Sequence, residues 1–468
     1  MKQLLFLLFL PISIMAQKNY PHLLEQYMQD QTTNGGFSGS VLIIRNNKVL
    51  LKAGYGLADR EWKIPNGAGV RYRLGSVSKQ FTAACILRLV EEGRLSLDDK
   101  LTKFFPDYPK GDSVTIRMLL NHTSGIFNYS NADAFLKNLR LVWSKDSIIG
   151  IFKNRPYYFS PGAAMRYSNS NFFLLGYIVE KVSGQSLGDY LQQHFLARLG
   201  MKNTGVDEDD SIVPHRARGY KMEGGKILNC DYFWTGWAFG GGQLYSTIDD
   251  LYTWEKAYDK NIVLSDSSRK MMFTAGRDNY GFGIAIGSFN GHKWIGHTGD
   301  THGFDTYVSR FVDDDAYIII LSNDQANVKM MAIDICHILF DDPGLKGTLT
   351  KQLASVQIDQ ERKKIQWQLN YLQSLQPGDT EDATILRQYT GVFGYTLQFF
   401  INGNALFCRE DERGGEIFRA KHIRGRLYNI DENLQVEFDK IVDGKATGIK
   451  MFRNDGNDGY WTATPSRM

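Results

Sequence analysis

The sequence predicts an α/β protein in which a mainly antiparallel sheet is flanked by helices, followed by a small all-β domain folded as a barrel or curved sheet. Two observations predict this fold class. Strand-like segments near residues 37–59 and 280–324 enclose a long region of helical patterns. After residue 389 the sequence changes to short apolar runs separated by Asn-Gly, Gly-Gly and Asp-Gly pairs, which are typical turn sequences.

The first strand-like segment, "FSGSVLIIRNNKVLLKAGYGLAD", alternates apolar and polar residues and is split by Asn46 and Asn47, which indicates a β-hairpin. The first pronounced helix follows Lys79, where apolar residues recur at three- and four-residue steps until Gly93. We expect a signal peptide at residues 1–17, a main domain at 18–345, a polar helical linker at 346–385 and the β domain at 386–468.

Composition excludes several function classes. The 468 residues are 43% hydrophobic and 22% charged with a net charge of +3, which favours neither nucleic acid nor an anionic membrane surface as a partner. The apolar N-terminal run is too short to span a membrane and lacks the nearby cysteine of a lipoprotein. We therefore expect a periplasmic or secreted protein with no membrane span.

The cysteines are far apart in apolar or strand-like settings, so buried free thiols are favoured over disulfides. No metal-ligand spacing involves them, and neither a metal nor a cofactor is predicted. The cysteines are Cys85, Cys230, Cys336 and Cys408.

The first motif with chemical meaning is Ser76-Val-Ser-Lys79 at the start of the apolar helix. Residues three apart share a helical face, so the Lys79 amine can reach the Ser76 hydroxyl and act as its base. The helix start also offers backbone N–H groups to a developing oxyanion. A second Ser-x-x-Lys, from Ser267 to Lys270, shows that the motif alone is weak.

Two further motifs complete a possible catalytic set. In Tyr167-Ser168-Asn169, ahead of a helix expected near Asn171, the tyrosine can relay a proton and the asparagine can donate to a substrate carbonyl. The triplet Tyr129-Ser130-Asn131 is a rival without such a helix. The alternative for Tyr167 is a buried aromatic with a bonded hydroxyl.

The third motif is His297-Thr298-Gly299 at the end of an apolar strand, where the backbone edge can lie along a substrate and Gly299 permits close approach. A solvent-exposed turn histidine is one alternative. A zinc site from His297 and His302 is another, and it is disfavoured because no third ligand is evident.

In this order, the three motifs resemble the active-site motifs of the serine β-lactamase and penicillin-binding-protein superfamily, in its class C-like branch. The phrases "LLNHTSGI", "SPGAAMRYSNSNFFLLG" and "GGGQLYSTIDDL" add to the resemblance, which covers about residues 20 to 340. The trailing β domain is similar to the lipocalin-like barrels of some members.

The resemblance implies that Ser76 becomes acylated, that Lys79 and Tyr167 move protons, and that Asn169 orients the substrate amide. The backbone N–H groups of Ser76 and Asp300 would form the oxyanion hole. His297 departs from the lysine that β-lactamases carry. An ordinary histidine changes charge near pH ~6.5, so we expect help to anionic substrates to grow as the pH falls through that region.

The function expected is that of an exported acyl-serine hydrolase cleaving amide or ester bonds of peptidoglycan-type or D-amino-acid peptides, as a carboxypeptidase, aminopeptidase or esterase does. The substrate would be a small molecule or peptide, including cell-wall derivatives. One alternative is a β-lactamase. The alternative from another class is a penicillin-binding or sensing protein without turnover, which would have no need of Lys79 beside Ser76.

Overall fold

The computed structural model describes residues 19–223 and 226–340 in full and, beyond them, only strands between residues 391 and 453. The chain divides into two compact units, Met1–Leu353 and Ala354–Met468. The predicted signal peptide at 1–17 and the predicted linker at 346–385 lie outside the described residues, and the domain boundaries stay predictions.

The helices of the first unit are α1 (Tyr20–Thr33), α2 (Lys79–Glu91), α3 (Ile116–Leu120), α4 (Asp133–Lys137), α5 (Lys145–Lys153), α6 (Asn169–Ser183), α7 (Leu187–Leu191), α8 (Ala197–Leu199), α9 (Ile248–Asp259), α10 (Asp266–Met272) and α11 (Val328–Phe340). Its strands are β1 (Gly39–Arg45), β2 (Lys48–Tyr55), β3 (Leu57–Asp59), β4 (Ile64–Pro65), β5 (Tyr72–Arg73), β6 (Gly205–Val206), β7 (Tyr220–Glu223), β8 (Lys226–Asn229), β9 (Leu244–Ser246), β10 (Ala285–Phe289), β11 (His292–Thr301), β12 (Phe304–Phe311) and β13 (Ala316–Ser322).

The main sheet has six strands in the order β10-β11-β12-β13-β1-β2, and every neighbouring pair is antiparallel. This confirms the predicted α/β fold with a mainly antiparallel sheet flanked by helices. The hairpin at its edge is confirmed as well: Asn46 and Asn47 turn between β1 and β2 with φ of 52° and 58°, a conformation that asparagine tolerates better than most residues.

Both faces of the sheet are covered. In β1, Val41 and Ile43 pack with α1 and α11, whereas Leu42 and Ile44 face the larger core formed around α2 and α6. Successive side chains of a strand point to opposite faces, so a strand that is buried on both sides must be apolar throughout. This explains the uninterrupted apolar runs in β1 and β13.

The free end of β11 positions the site. Strand β10 pairs only with residues 292–296, so residues 297–301 have β12 as their strand neighbour and a second edge that faces the start of α2. Within the part of the chain that the structure describes, no helix combines the length and the apolar character that crossing a membrane requires.

The second unit is described only through its strands, which form two four-stranded antiparallel sheets and a two-stranded pair. These strands agree with the all-β prediction, and the lipocalin-like barrel stays a prediction. The strands are β14 (Gly391–Phe393), β15 (Leu397–Asn402), β16 (Ala405–Glu410), β17 (Glu416–Arg419), β18 (Lys421–Arg424), β19 (Leu427–Asn429), β20 (Leu434–Phe438), β21 (Ile441–Val442), β22 (Lys445–Ala446) and β23 (Ile449–Arg453).

The described cysteine side chains are free, and two of them, Cys85 and Cys336, are buried as predicted. Cys230 is half-buried. The side chain of Cys408 lies outside the described residues, so its thiol state stays a prediction.

Candidate active site

Ser76 lies in a 3₁₀ turn, Gly75–Ser78, that runs directly into α2. The turn is packed tightly against β11, because a Cβ atom on Gly75 would lie 2.7 Å from both the backbone nitrogen and the backbone oxygen of Asp300. Gly75 also has a φ of +50°, which other residues rarely adopt. Glycine is therefore required for Ser76 to sit beside the free end of β11.

Lys79 opens α2 and is fully buried. Its Nζ lies 2.9 Å from three oxygens: Ser76 Oγ, Asn169 Oδ1 and the carbonyl of Gly241. Burial lowers the pKa of Lys79 well below its usual range, since desolvation disfavours the charged ammonium. The lowered pKa favours the neutral amine, which is the form that a lysine base requires.

The three contacts of the Lys79 nitrogen fit this neutral form. A neutral amine has two N–H donors and one lone pair. In that form the Asn169 and Gly241 oxygens, which only accept, would take the two donors and leave the lone pair for the Ser76 hydroxyl. The nitrogen is thereby aimed at the proton that it must remove before Ser76 can attack a carbonyl.

Tyr167 contacts the same hydroxyl from the other side, with its own hydroxyl 2.7 Å from Ser76 Oγ. It precedes α6, which begins at Asn169, two residues earlier than the sequence predicted. Burial raises the pKa of Tyr167, so the phenol stays protonated and serves as a hydrogen-bond donor. These opposite pKa shifts are consistent with the predicted roles of Lys79 as the base and Tyr167 as the proton relay.

Asn169 positions Lys79. Its side-chain oxygen accepts from the amine, and its nitrogen donates to Ser130 Oγ at 3.2 Å. The same nitrogen carries a second N–H, and its donation to a substrate carbonyl stays a prediction. The rival triplet contributes Ser130 to this support, whereas the Tyr129 hydroxyl donates to the carbonyl of Trp237 within the core.

His297 differs from the sequence-based expectation. It is only 7% exposed, and burial together with the nearby Lys79 lowers its pKa to about 4. Its Nδ1 contacts the carbonyl of Thr298, which only accepts, so Nδ1 carries the proton and Nε2 accepts from the Tyr280 hydroxyl at 2.9 Å. The expectation of a charge change near pH ~6.5 was therefore wrong, because the sequence does not reveal burial.

The other residues predicted on β11 lie at its free end. Thr298 is exposed, whereas a Cβ atom on Gly299 would lie 1.9 Å from the carbonyl oxygen of Leu74. Gly299 thus admits the turn that carries Ser76, whereas the sequence had suggested that it admits a substrate. The Asp300 peptide lies against Gly75, next to the nucleophile, as an oxyanion hole built from Ser76 and Asp300 would require.

The rival serine is placed elsewhere. Ser267 and Lys270 are exposed on α10, and Lys270 pairs with Asp266 at 2.7 Å. The zinc alternative lacks a geometric basis, because His297 is held by Tyr280 while the ring of His302 stacks on another aromatic ring.

Three contributors were missed by the sequence: the Gly241 carbonyl, Tyr280 and His122. His122 is fully buried with its ring 4.4 Å from that of Tyr167, and its Nδ1 lies 3.3 Å from the Ser168 amide. His122 lies in "LLNHTSGI" and Gly241 lies in "GGGQLYSTIDDL", but the sequence alone indicates no role for either residue. The sequence around Tyr280 shows an aromatic residue close to glycines, and this pattern does not indicate a place in the active site.

The comparisons with known proteins agree with this geometry. The Beta-lactamase family model matches residues 22–339. The chain belongs to the Beta-lactamase family. It is a serine hydrolase of that family, which acts through an acyl-enzyme.

Relatives of this Beta-lactamase family chain include the putative penicillin-binding protein PbpX of Bacillus subtilis, 31% identical over 63% of this chain and 73% of the relative. A penicillin-binding protein from Bacillus halodurans is similar in structure, with a TM-score of 0.59 and 27% identity over 68% of this chain and 99% of its own. A D-stereospecific amidohydrolase from Streptomyces sp. has a TM-score of 0.56 and 26% identity over 65% and 94%.

Proposed function

We propose that this protein is an exported hydrolase that cleaves amide or ester bonds next to D-amino acids, in peptidoglycan-type peptides or in D-amino-acid derivatives. The observation that carries the proposal is the position of Ser76 Oγ, 2.9 Å from the Lys79 amine and 2.7 Å from the Tyr167 hydroxyl. The relatives support the substrate class, since they include penicillin-binding proteins and a D-stereospecific amidohydrolase.

The reaction follows from the proton positions. Lys79 takes the Ser76 proton as Oγ attacks the carbonyl carbon, and the backbone N–H groups of Ser76 and Asp300 would stabilise the oxyanion. When the tetrahedral intermediate collapses, the bond to the leaving atom breaks and the proton passes through Tyr167 to that atom. Water then attacks the acyl carbon while the Lys79 amine accepts a proton from it. The bond from that carbon to Ser76 Oγ breaks, the proton returns to Ser76 Oγ, and the acid product leaves.

The state of His297 bears on which substrates are favoured. A neutral imidazole supplies no positive charge to a carboxylate, unlike the lysine of β-lactamases, so β-lactam hydrolysis is not the function that this site favours. D-amino-acid amides and esters without a carboxylate do not need a positive charge at position 297, so a neutral histidine there does not weaken their binding.

A substrate panel tests the proposal. We expect turnover of D-amino-acid amides and esters in preference to their L-enantiomers, little turnover of nitrocefin, and no turnover by Ser76→Ala. A Ser76→Ala protein that retained full activity would contradict the mechanism, and equal turnover of the two enantiomers would contradict the substrate class.

Export is tested separately. Sequencing the N-terminus of the mature protein should show that residues 1–17 are absent, because the apolar run and the following small residue are typical of a cleaved signal peptide. A mature chain that begins at Met1 would contradict export through this signal.

A further inference from the structure

A cavity of about 430 Å³ opens beside the catalytic residues. Its lining includes Tyr167, His297 and Thr298 together with Lys329 and Ile333 of α11. Its volume falls within the range of pockets that hold small organic molecules. The cavity therefore connects the proton-relay residue with a space large enough for part of a substrate.

The position of Tyr167 indicates which part of the substrate this is. The Tyr167 hydroxyl lies 2.7 Å from Ser76 Oγ, so a leaving atom that receives its proton through this hydroxyl must lie next to it. The group attached to the leaving atom extends away from the scissile carbonyl. Since Tyr167 itself lines the cavity, the leaving group has its path into that space.

The walls of the cavity are mainly apolar and aromatic. Phe289, Trp294 and Phe311 belong to its lining, and Phe311 is almost fully buried. Such rings favour alkyl or aryl groups through burial of apolar surface.

His297, which lines the cavity together with Tyr167, supplies no positive charge to it. Both ring nitrogens of His297 are occupied within the protein, Nδ1 by the Thr298 carbonyl and Nε2 by the Tyr280 hydroxyl. Among the lining residues the charged side chain is Lys329, which is exposed at the start of α11. A carboxylate close to the scissile bond would thus be desolvated without a counter-charge, which is unfavourable.

We propose that this cavity is the leaving-group subsite and that it selects uncharged, apolar leaving groups, such as the alkyl or aryl part of an ester alcohol or of an amide amine. The proposal rests on the proposed function and narrows its substrate class. In the reaction the Ser76 Oγ–carbon bond forms, the bond from carbon to the leaving oxygen or nitrogen breaks, and the serine proton ends on the leaving atom.

The test uses the full-length protein and esters of one D-amino acid that differ only in the alcohol, from methyl through butyl to octyl. We expect kcat/KM to rise with chain length by up to about fourfold per methylene until the cavity is filled. The corresponding dipeptide, whose leaving group carries a carboxylate beside the scissile bond, should be a poorer substrate than the butyl amide.

Variants locate the effect. Ile333→Trp places an indole in the cavity from α11, and it should lower the octyl-to-methyl ratio of kcat/KM by about tenfold or more. Met330→Trp, on the same helix and outside the cavity lining, is the matched control and should leave the ratio unchanged. If circular dichroism shows that Ile333→Trp is misfolded, Ser288→Phe on β10 replaces it.

Several outcomes would overturn the proposal. The first is a Ser76-dependent hydrolysis whose kcat/KM does not change with the length of the alcohol. The second is an octyl-to-methyl ratio of kcat/KM that Met330→Trp changes as much as Ile333→Trp does. The third is a dependence of kcat/KM on the length of the acyl group that Ile333→Trp abolishes. Each would remove the subsite and leave the proposed function standing. A protein with no Ser76-dependent hydrolysis of any ester or amide would instead overturn the proposed function.

Discussion

His297 is buried and uncharged in the folded protein, so its replacement by glutamine should remove a pH-dependent loss of stability. Its pKa is about 4 in the folded state, whereas an exposed histidine in the unfolded chain has a pKa of ~6.5. Between these values the unfolded state binds a proton that the folded state does not, so the free energy of unfolding falls as the pH falls. The loss amounts to about 2 kcal/mol from pH ~7 to ~5, and about 3 kcal/mol by pH ~4.

Urea unfolding of the wild-type protein and of His297→Gln, each at pH ~7 and at pH ~5, measures how much stability each protein loses between these pH values. Glutamine is neutral throughout and its oxygen can accept from Tyr280, so the variant should lose about 2 kcal/mol less than the wild type. The other titrating groups are common to both proteins and cancel in the comparison. Equal losses in the two proteins would refute the conclusion that His297 is held neutral by burial.

Two further predictions concern the nucleophile and its base. Gly299→Ala should destabilise the protein by about 1–3 kcal/mol and lower kcat/KM, because its methyl group would overlap the Leu74 carbonyl. Gly150→Ala is the control, because a methyl group at this position on α5 meets open space. Thermal unfolding and ester kinetics measure both variants, and an equal loss of stability in the two would contradict the predicted overlap with the Leu74 carbonyl. Acylation of Ser76 should slow as the pH falls, because Lys79 then takes up a proton and can no longer act as a base. Lys79→Arg should be acylated about 10²–10⁴-fold more slowly than the wild type in stopped-flow labelling. An unchanged rate in this variant would exclude Lys79 as the base.

The parts of the site that the sequence predicted are those in which the residue type itself carries the chemistry. A serine three residues before a lysine at a helix start fixes their proximity through helix geometry alone, and the hairpin at Asn46 and Asn47 is equally local. The antiparallel sheet followed from strands at both ends of the helical region, since these strands had to meet in one layer.

The rest of the site depends on contacts between distant segments. The Gly241 carbonyl that orients Lys79 comes from 162 residues away, and any residue could supply a carbonyl. The pKa of His297 depends on burial and on Tyr280, which no local pattern encodes. The close neighbour of Gly299 is the Leu74 carbonyl, which becomes apparent only once the turn and the strand are packed together.

Mapping the acyl-enzyme on the intact protein tests the catalytic assignment most directly. After reaction with a fluorophosphonate or a fluorescent penicillin, mass spectrometry should find the adduct on Ser76, whose hydroxyl lies between Lys79 and Tyr167. Ser76→Ala should remain unmodified, and Ser267→Ala should react like the wild type, because Ser267 is exposed on α10. An adduct on Ser267, or one that persists in Ser76→Ala, would contradict the assignment.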